Sequence, residues 1–206
     1  MMTDRLPREF YLRDNVLTIA RDMLGKELIS FSDGRLTSGI ITEAEAYNGI
    51  IDRASHTYGD RRTKRTETMY SEGGVAYIYL CYGIHSLLNA VTNIKDVPHA
   101  VLIRAILPYR GTEVMEERLG RQIKPKEGQG PGKVTKLLGL TFTDDGEDLV
   151  EGNRLWIANT NIVIPDSAIQ ITPRIGVAYA GEDALLPYRF VIDLNIMLNL
   201  LNGRDN

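Results

Sequence analysis

Residues 75–92 constrain the fold more than any other stretch. Two runs rich in Tyr, Ile, Leu and Val, 75–82 and 84–92, meet at Gly83. Strand-forming runs joined by so short a bend read as a β-hairpin, with glycine free to take the backbone conformation the bend requires. Residues 27–31 and 36–47 read as strands joined by the turn Ser32-Asp33-Gly34-Arg35, and further strands are expected at 100–106, 155–158, 168–172 and 188–193. Asp14 and Asn15 suit the cap of a helix with Val16, Ile19, Ala20, Met23 and Leu24 on its apolar face and Gly25 as its stop. A second helix is expected over 112–122. Pro131 opens a third, which carries Val134, Leu137 and Leu138 and ends at Gly139. Residues 48–74 are polar and read as one long loop, a kind of segment that is disproportionately functional. Strands linked mostly by hairpins, without a regular βαβ alternation, predict an α+β fold around an antiparallel sheet. The 206 residues fit a single domain spanning 1–206.

Charge and cysteine content narrow the function classes. A net charge of −3 counts against a non-specific nucleic-acid binder, although a basic cluster can sit on one face of an acidic protein. Cys81 is the only cysteine, so an intramolecular disulfide, a zinc ribbon and a cysteine-ligated cluster are all excluded. Its apolar strand predicts a buried structural thiol. His56, His85 and His99 lack metal-ligand spacing, so neither a metal nor another cofactor is expected. Residues 1–5 lack the apolar core of a leader, and the run 190–201 is interrupted by Asp193, Asn195 and Asn199. No membrane association is expected, and a reducing cytoplasmic home is the simplest reading.

Along 36–47, strand alternation places Ile41, Glu43, Glu45 and Tyr47 on one face and Ile40, Thr42, Ala44 and Ala46 on the other, the natural core side. Glu43 and Glu45 would then stand about 7 Å apart. Repulsion between them, with any burial, would raise at least one pKa and poise a general base. A solvated strand face is the plainer account of the same pair. Glycoside hydrolysis wants its two acids on opposite sides of the bond, which parallel neighbours on one strand do not provide. On the hairpin, Tyr77 and Tyr79 share a face, and Tyr82 stands beside the bend. Tyr79 and Tyr47 could wall a pocket, and Tyr82 could wedge between stacked bases. Ordinary packed sheet explains tyrosines as well, and Tyr70 and Tyr77 fit that account better. In the loop, Arg61-Arg62-Thr63-Lys64-Arg65 is the best local candidate for attracting phosphate, or else a solvated charge run.

The segments Thr42-Glu43-Ala44-Glu45-Ala46-Tyr47, His56 eleven residues beyond Glu45, Tyr77-Ile78-Tyr79-Leu80-Cys81-Tyr82-Gly83, Val101-Leu102-Ile103-Arg104-Ala105 and Gly130-Pro131-Gly132-Lys133 occur in order along the chain. In content and spacing they resemble the alkyladenine (3-methyladenine) DNA glycosylase family, from the opening helix to Tyr188-Arg189-Phe190-Val191. The resemblance implies a monofunctional enzyme that excises alkylated purines, and often hypoxanthine or etheno-adenine, from double-stranded DNA. It implies that Glu45 is the general base that activates water, and that Tyr47, His56 and Tyr79 sandwich the flipped base. By the same likeness Tyr82 intercalates into the duplex from the minor groove, Asn89 crowds the exocyclic amine of normal guanine, and Arg104 sits at the pocket floor. The implied fold is a single α+β domain with a curved antiparallel, open-barrel-like sheet, surrounding helices and a protruding β-hairpin, without cofactor or obligate protein partner. The likeness departs at Ile84 and His85 after the bend, and by two extra residues between Asn89 and Arg104.

The chemistry agrees with the residues. An alkylated purine is already cationic, so it leaves readily and stacks well on tyrosine faces. One ionised carboxylate can then position water and stabilise an oxocarbenium-like sugar. A neutral base needs protonation, for which no acid is evident. A phosphate-binding loop at 128–134 is excluded, because Glu127 and Val134 replace residues it requires. The rival readings are a non-catalytic binder of distorted duplex, which would need no base at Glu45, and an RNA-binding module indifferent to damage.

Overall fold

The computed structural model describes residues 4–203, so the amino-terminal stretch read for a leader lies partly outside it. Its elements run α1 (Arg8–Tyr11), α2 (Val16–Asp22), β1 (Glu27–Ser32), β2 (Arg35–Tyr47), β3 (Ala76–Cys81), β4 (His85–Thr92), β5 (His99–Arg110), α3 (Thr112–Leu119), α4 (Pro131–Leu138), β6 (Leu155–Ala158), β7 (Ile169–Thr172), β8 (Arg189–Ile192) and α5 (Leu194–Asn202). The local chemistry accounts for the boundaries. The Asn15 side chain accepts the amides of Leu17 and Thr18 and caps α2. Pro131 occupies the first turn of α4, and Gly139 ends it in the left-handed conformation.

The fold is α+β, as its hairpin-linked order predicts. The sheet is antiparallel throughout, in the order β3-β4-β5-β2-β1-β6, and does not close. β8 pairs with both β2 and β7. Strand β2 is the axis of this arrangement. One edge pairs with β5 along almost its whole length. The other edge is divided, residues 35–40 pairing with β1 and Glu43, Ala44 and Glu45 pairing with β8. The second half of β2 therefore has neighbours on both edges, and this is what buries the acid strand.

Simple alternation fails in β2. The ladder with β5 runs regularly from Tyr47↔Ala100 to Ala44↔Ile103 and again from Ile41↔Ile106 to Gly39↔Pro108, beyond which Tyr109 is skipped before Ser38↔Arg110; between the two regular stretches only Glu43↔Ala105 pair. Thr42 on one strand and Arg104 on the other are left out of the ladder, as two opposed bulges. Each bulge reverses the inward and outward faces of its strand. Ile41 consequently packs in the main core with Ala44 and Ala46, and Ile40 joins a second cluster with Leu107, Ile192 and Met197. The expected faces of Ile40 and Ile41 are thus exchanged.

Two further expectations change, and one element appears that the sequence reading did not assign. Residues 194–202, read only as part of an interrupted apolar run, form helix α5, with Asp193 as its cap accepting the Asn195 amide. Strand β5 continues four residues past its expected end, to Arg110. Cys81 is half-buried at the exposed end of β3 and not a core thiol. Among the described residues no helix is long and apolar enough to cross a membrane.

Candidate active site

Glu45 is 0% exposed, enclosed by Leu102 on β5 and Arg189 on β8. Its carboxylate is held from three directions. The Tyr47 hydroxyl donates to Oε2 at 2.9 Å, the Ile175 amide donates to Oε1 at 2.8 Å, and Arg104 Nε lies 3.4 Å from Oε1. Burial raises the Glu45 pKa above the ordinary 4.5. Arg104, the Ile175 amide and the Tyr47 hydroxyl pull it back, and Glu43 contributes less than any of these. The expected source of the shift, repulsion from Glu43, is therefore secondary to desolvation. Glu43 is occupied elsewhere, since its Oε1 accepts from Arg104 Nε at 2.9 Å and Arg189 Nε at 2.6 Å. The bulge at Arg104 aims its guanidinium between the two acids, so the four side chains alternate in charge.

Beside the carboxylate lies a cavity walled by Tyr47, His56, Tyr79 and Asn89, together with Tyr77, Tyr179, Met69, Ala54, Ser55 and Ala100. All four base-binding residues expected from the sequence meet here. Glu45 does not line the cavity. It sits one hydrogen bond deeper, behind the Tyr47 hydroxyl, and Arg104, expected at the pocket floor, does not line the cavity either. The cavity measures about 40 Å³. That is room for water but far below the roughly 300 Å³ at which small-molecule pockets begin. Tyr179 is the most exposed of its walls, at 69%, and its hydroxyl donates to the Ala54 carbonyl at 2.9 Å.

His56 meets Tyr79 edge-on with centroids 4.6 Å apart, and its Nδ1 is 3.0 Å from the Tyr77 hydroxyl. Burial, with Arg65 and Arg61 nearby, lowers its pKa to about 4, so the ring is neutral at neutral pH. The amide nitrogen of Asn89 donates to the carbonyls of Tyr77 and Leu87 at 3.1 and 3.4 Å, which leaves the amide oxygen as its other end.

Tyr82 stands at the hairpin tip, 92% exposed, and both Tyr82 and Gly83 take positive φ in the turn. A Cβ added to Gly83 would meet nothing within 4 Å, so the tip stands clear of the body. Behind it, Thr135 on α4 donates its hydroxyl to Ser86 O at 2.7 Å and braces β4. The basic run divides. Arg62 is taken up by Glu67 and Asp96, whereas Arg61 and Arg65 border an open groove of about 450 Å³ with Arg53, Tyr58 and Tyr179. This groove and the closed cavity share Ser55, His56 and Tyr179 as walls.

Sequence reading missed Ile175, Tyr179 and Arg174, all in a segment read as turns. Nothing periodic marks them, since an irregular segment between β7 and β8 carries no strand or helix pattern.

The methylpurine-DNA glycosylase family profile matches residues 9–196. The chain is similar to proteins named "Putative 3-methyladenine DNA glycosylase" in three bacteria. It is 46% identical to that of Chlamydia felis, over 92% of this chain and 96% of the relative. The Bacillus subtilis protein is 42% identical over 92% and 94%, and the Clostridium perfringens protein 38% identical over 93% and 97%.

Proposed function

The chain belongs to the methylpurine-DNA glycosylase family and is a DNA glycosylase, a hydrolase of N-glycosyl bonds, and from that premise we propose how its residues act. As a single domain spanning 1–206, working in the cytoplasm with access to DNA, it approaches duplex DNA through the minor groove. Tyr82 enters the stack, an alkylated purine such as 3-methyladenine or 7-methylguanine swings into the ring-walled cavity, and Glu45 directs water at C1′. The observation that carries this reading is the Glu45 carboxylate, buried directly behind the cavity wall and held there by two hydrogen-bond donors and the Arg104 ion pair.

A carboxylate offers about four lone-pair sites. The Ile175 amide takes one site on Oε1 and the Tyr47 hydroxyl one on Oε2, while Arg104 donates its Nε–H to Glu43 and faces Oε1 as an ion pair only, so lone-pair sites remain for the water that attacks. Burial raises the pKa of that base, and Arg104 and the two donors oppose the rise. Tyr47, Tyr79 and neutral His56 place ring faces and edges around the base without adding a positive charge that would repel a cationic purine. Arg104, expected at the pocket floor, lies like Glu45 behind the cavity lining and acts through its charge on that carboxylate, and Asn89 presents its amide oxygen near the base edge. The cavity must widen to admit a purine, and Tyr179, the most exposed of its walls, is the one placed to move.

Single-turnover release of free 7-methylguanine from a duplex, comparing the native chain with Glu45→Gln, tests the reading. The variant is expected to lose base release by about 10²-fold or more, and retained cleavage would remove Glu45 as the base. Among the described residues that line the cavity, none is an acid poised to protonate a leaving base, His56 being neutral. Release of 7-methylguanine is therefore expected to outpace release of hypoxanthine, and equal single-turnover rates would refute a mechanism without a leaving-group acid.

A further inference from the structure

Arg174 lies in the segment between β7 and β8 and is buried, with its guanidinium between two aromatic rings, 4.8 Å from the Tyr47 centroid and 5.1 Å from that of Tyr188. Asp52 grips it with both oxygens, at 2.5 and 2.8 Å. Nη1 also donates to the Ala46 carbonyl at 2.9 Å and Nη2 to the Asp183 carbonyl at 3.2 Å, while Nε has no partner. Asp52 in turn accepts the amides of Asn48 and Ala54 and so shapes the loop that carries His56. One planar cation therefore ties together the end of β2, the start of the long loop, the segment 174–183 and the approach to β8. Arg174 does not line the cavity. Two of the three groups on the Glu45 carboxylate are nonetheless placed by it. The Tyr47 ring that carries the donor hydroxyl is stacked on it, and the Ile175 amide is the next peptide along.

We propose that Arg174 is a positioning residue for the glycosylase reaction, fixing the Tyr47 phenol and the Ile175 amide on Glu45 while touching neither base nor water. The proposal rests on Glu45 as the general base. A buried ion pair is weak evidence for stability, because desolvation offsets much of the attraction, and geometric specification is its better-attested use. A planar, bidentate, stacked guanidinium is also the case in which lysine is not a conservative replacement. In Arg174→Lys the positive charge remains and the fork and stack are lost.

Donors to an ionised carboxylate lower its pKa, so loosening the Tyr47 and Ile175 contacts raises that of Glu45 further. The other charged or titratable groups around it are Glu43 on β2, Arg104 on β5, Arg189 on β8 through Glu43, and Tyr179, none of which changes in the variant, and Arg174 itself, whose positive charge lysine retains. The rate requires ionised Glu45, so its acid limb moves to higher pH in Arg174→Lys. A variant that merely unfolds more readily loses amplitude and keeps its limb in place.

The test is single-turnover release of 7-methylguanine as a function of pH for the native chain, Arg174→Lys and Glu45→Gln. Affinity for a duplex holding a tetrahydrofuran abasic analogue is measured alongside. For Arg174→Lys the expected result is a rate loss on the order of 10²-fold at neutral pH, unchanged affinity for the analogue, and an acid limb displaced upward. A native rate, or a reduced rate with an unmoved limb, overturns the proposal. If Arg174→Lys shows no cooperative thermal transition, Tyr188→Leu carries the test, since it keeps the ion pair and removes one stacked ring. Its limb is expected to move upward with a smaller loss of rate, and an unmoved limb again overturns the proposal. Cleavage by Glu45→Gln would sink the parent reading and this proposal with it. An inactive Glu45→Gln beside a native-like Arg174→Lys sinks the positioning role alone.

Discussion

His56 shows how burial decides the protonation of a wall residue. Its folded-state pKa near 4 lies below the ordinary 6.5, through desolvation first and the nearby Arg65 and Arg61 second. Above pH 6.5 the ring is neutral whether the chain is folded or unfolded, and it adds no pH dependence. As pH falls from 6.5 towards 4 the unfolded chain binds a proton that the folded chain refuses, so stability is lost across that window. In thermal unfolding, the native midpoint is expected to fall relative to that of His56→Gln over this range. A difference that does not change with pH would show that His56 is not held neutral. At this scale the sequence was informative where a residue sits in a motif. Glu45, Tyr47, His56, Tyr79 and Asn89 all come to one place. It was silent on Arg174, Ile175 and Tyr179, because a single loop arginine or an amide donor carries no pattern until the chain folds around it.

The hairpin is the element on which the proposed DNA contact depends. It projects Tyr82 in a turn where two consecutive residues take positive φ, and α4 braces its inner strand through the Thr135–Ser86 hydrogen bond. A wedge substitutes for the stacking that an extruded nucleotide gives up, and a paired lesion has more to give up than an unpaired one. Tyr82→Ser is accordingly expected to lower single-turnover excision several-fold more for a paired hypoxanthine than for one in a bulge or single strand. An unchanged ratio would remove the wedge. This hairpin was the most legible element, since two strand-forming runs about one glycine allow few other structures. Helix α5 was not legible. Asp193, Asn195 and Asn199 read as interruptions of an apolar run, whereas Asp193 caps the helix and the two asparagines lie on its exposed side around buried Met197. The opposed bulges were hidden for another reason. Alternation assumes an unbroken ladder, and no residue type announces where a ladder breaks.

Across the whole molecule, a net charge of −3 coexists with a local basic groove beside the cavity, where Arg53, Arg61 and Arg65 are exposed. Phosphate attraction follows the local field, and each neutralised phosphate contributes about 0.9 to the slope of log affinity against log salt. Replacing Arg53 and Arg61 together with Ala is expected to weaken duplex binding at low salt and to flatten that slope by up to about 1.8. An unaltered slope would place the DNA backbone elsewhere on the surface. The α+β class and the open antiparallel sheet follow from hairpin-linked order, while the sharing of one β2 edge between β1 and β8 arises only from the three-dimensional route of the chain. That shared strand also holds Thr42 opposite Arg104, each unpaired, with the ladder resuming in step on either side. The two insertions cancel, much as a second frameshift restores a reading frame. Losing either one alone would slide half of a thirteen-residue strand past its neighbour, while losing both would leave a flush ladder with nothing to turn Arg104 between Glu43 and Glu45. The two bulges therefore stand or fall together, and with them the placing of the Arg104 guanidinium between Glu43 and Glu45.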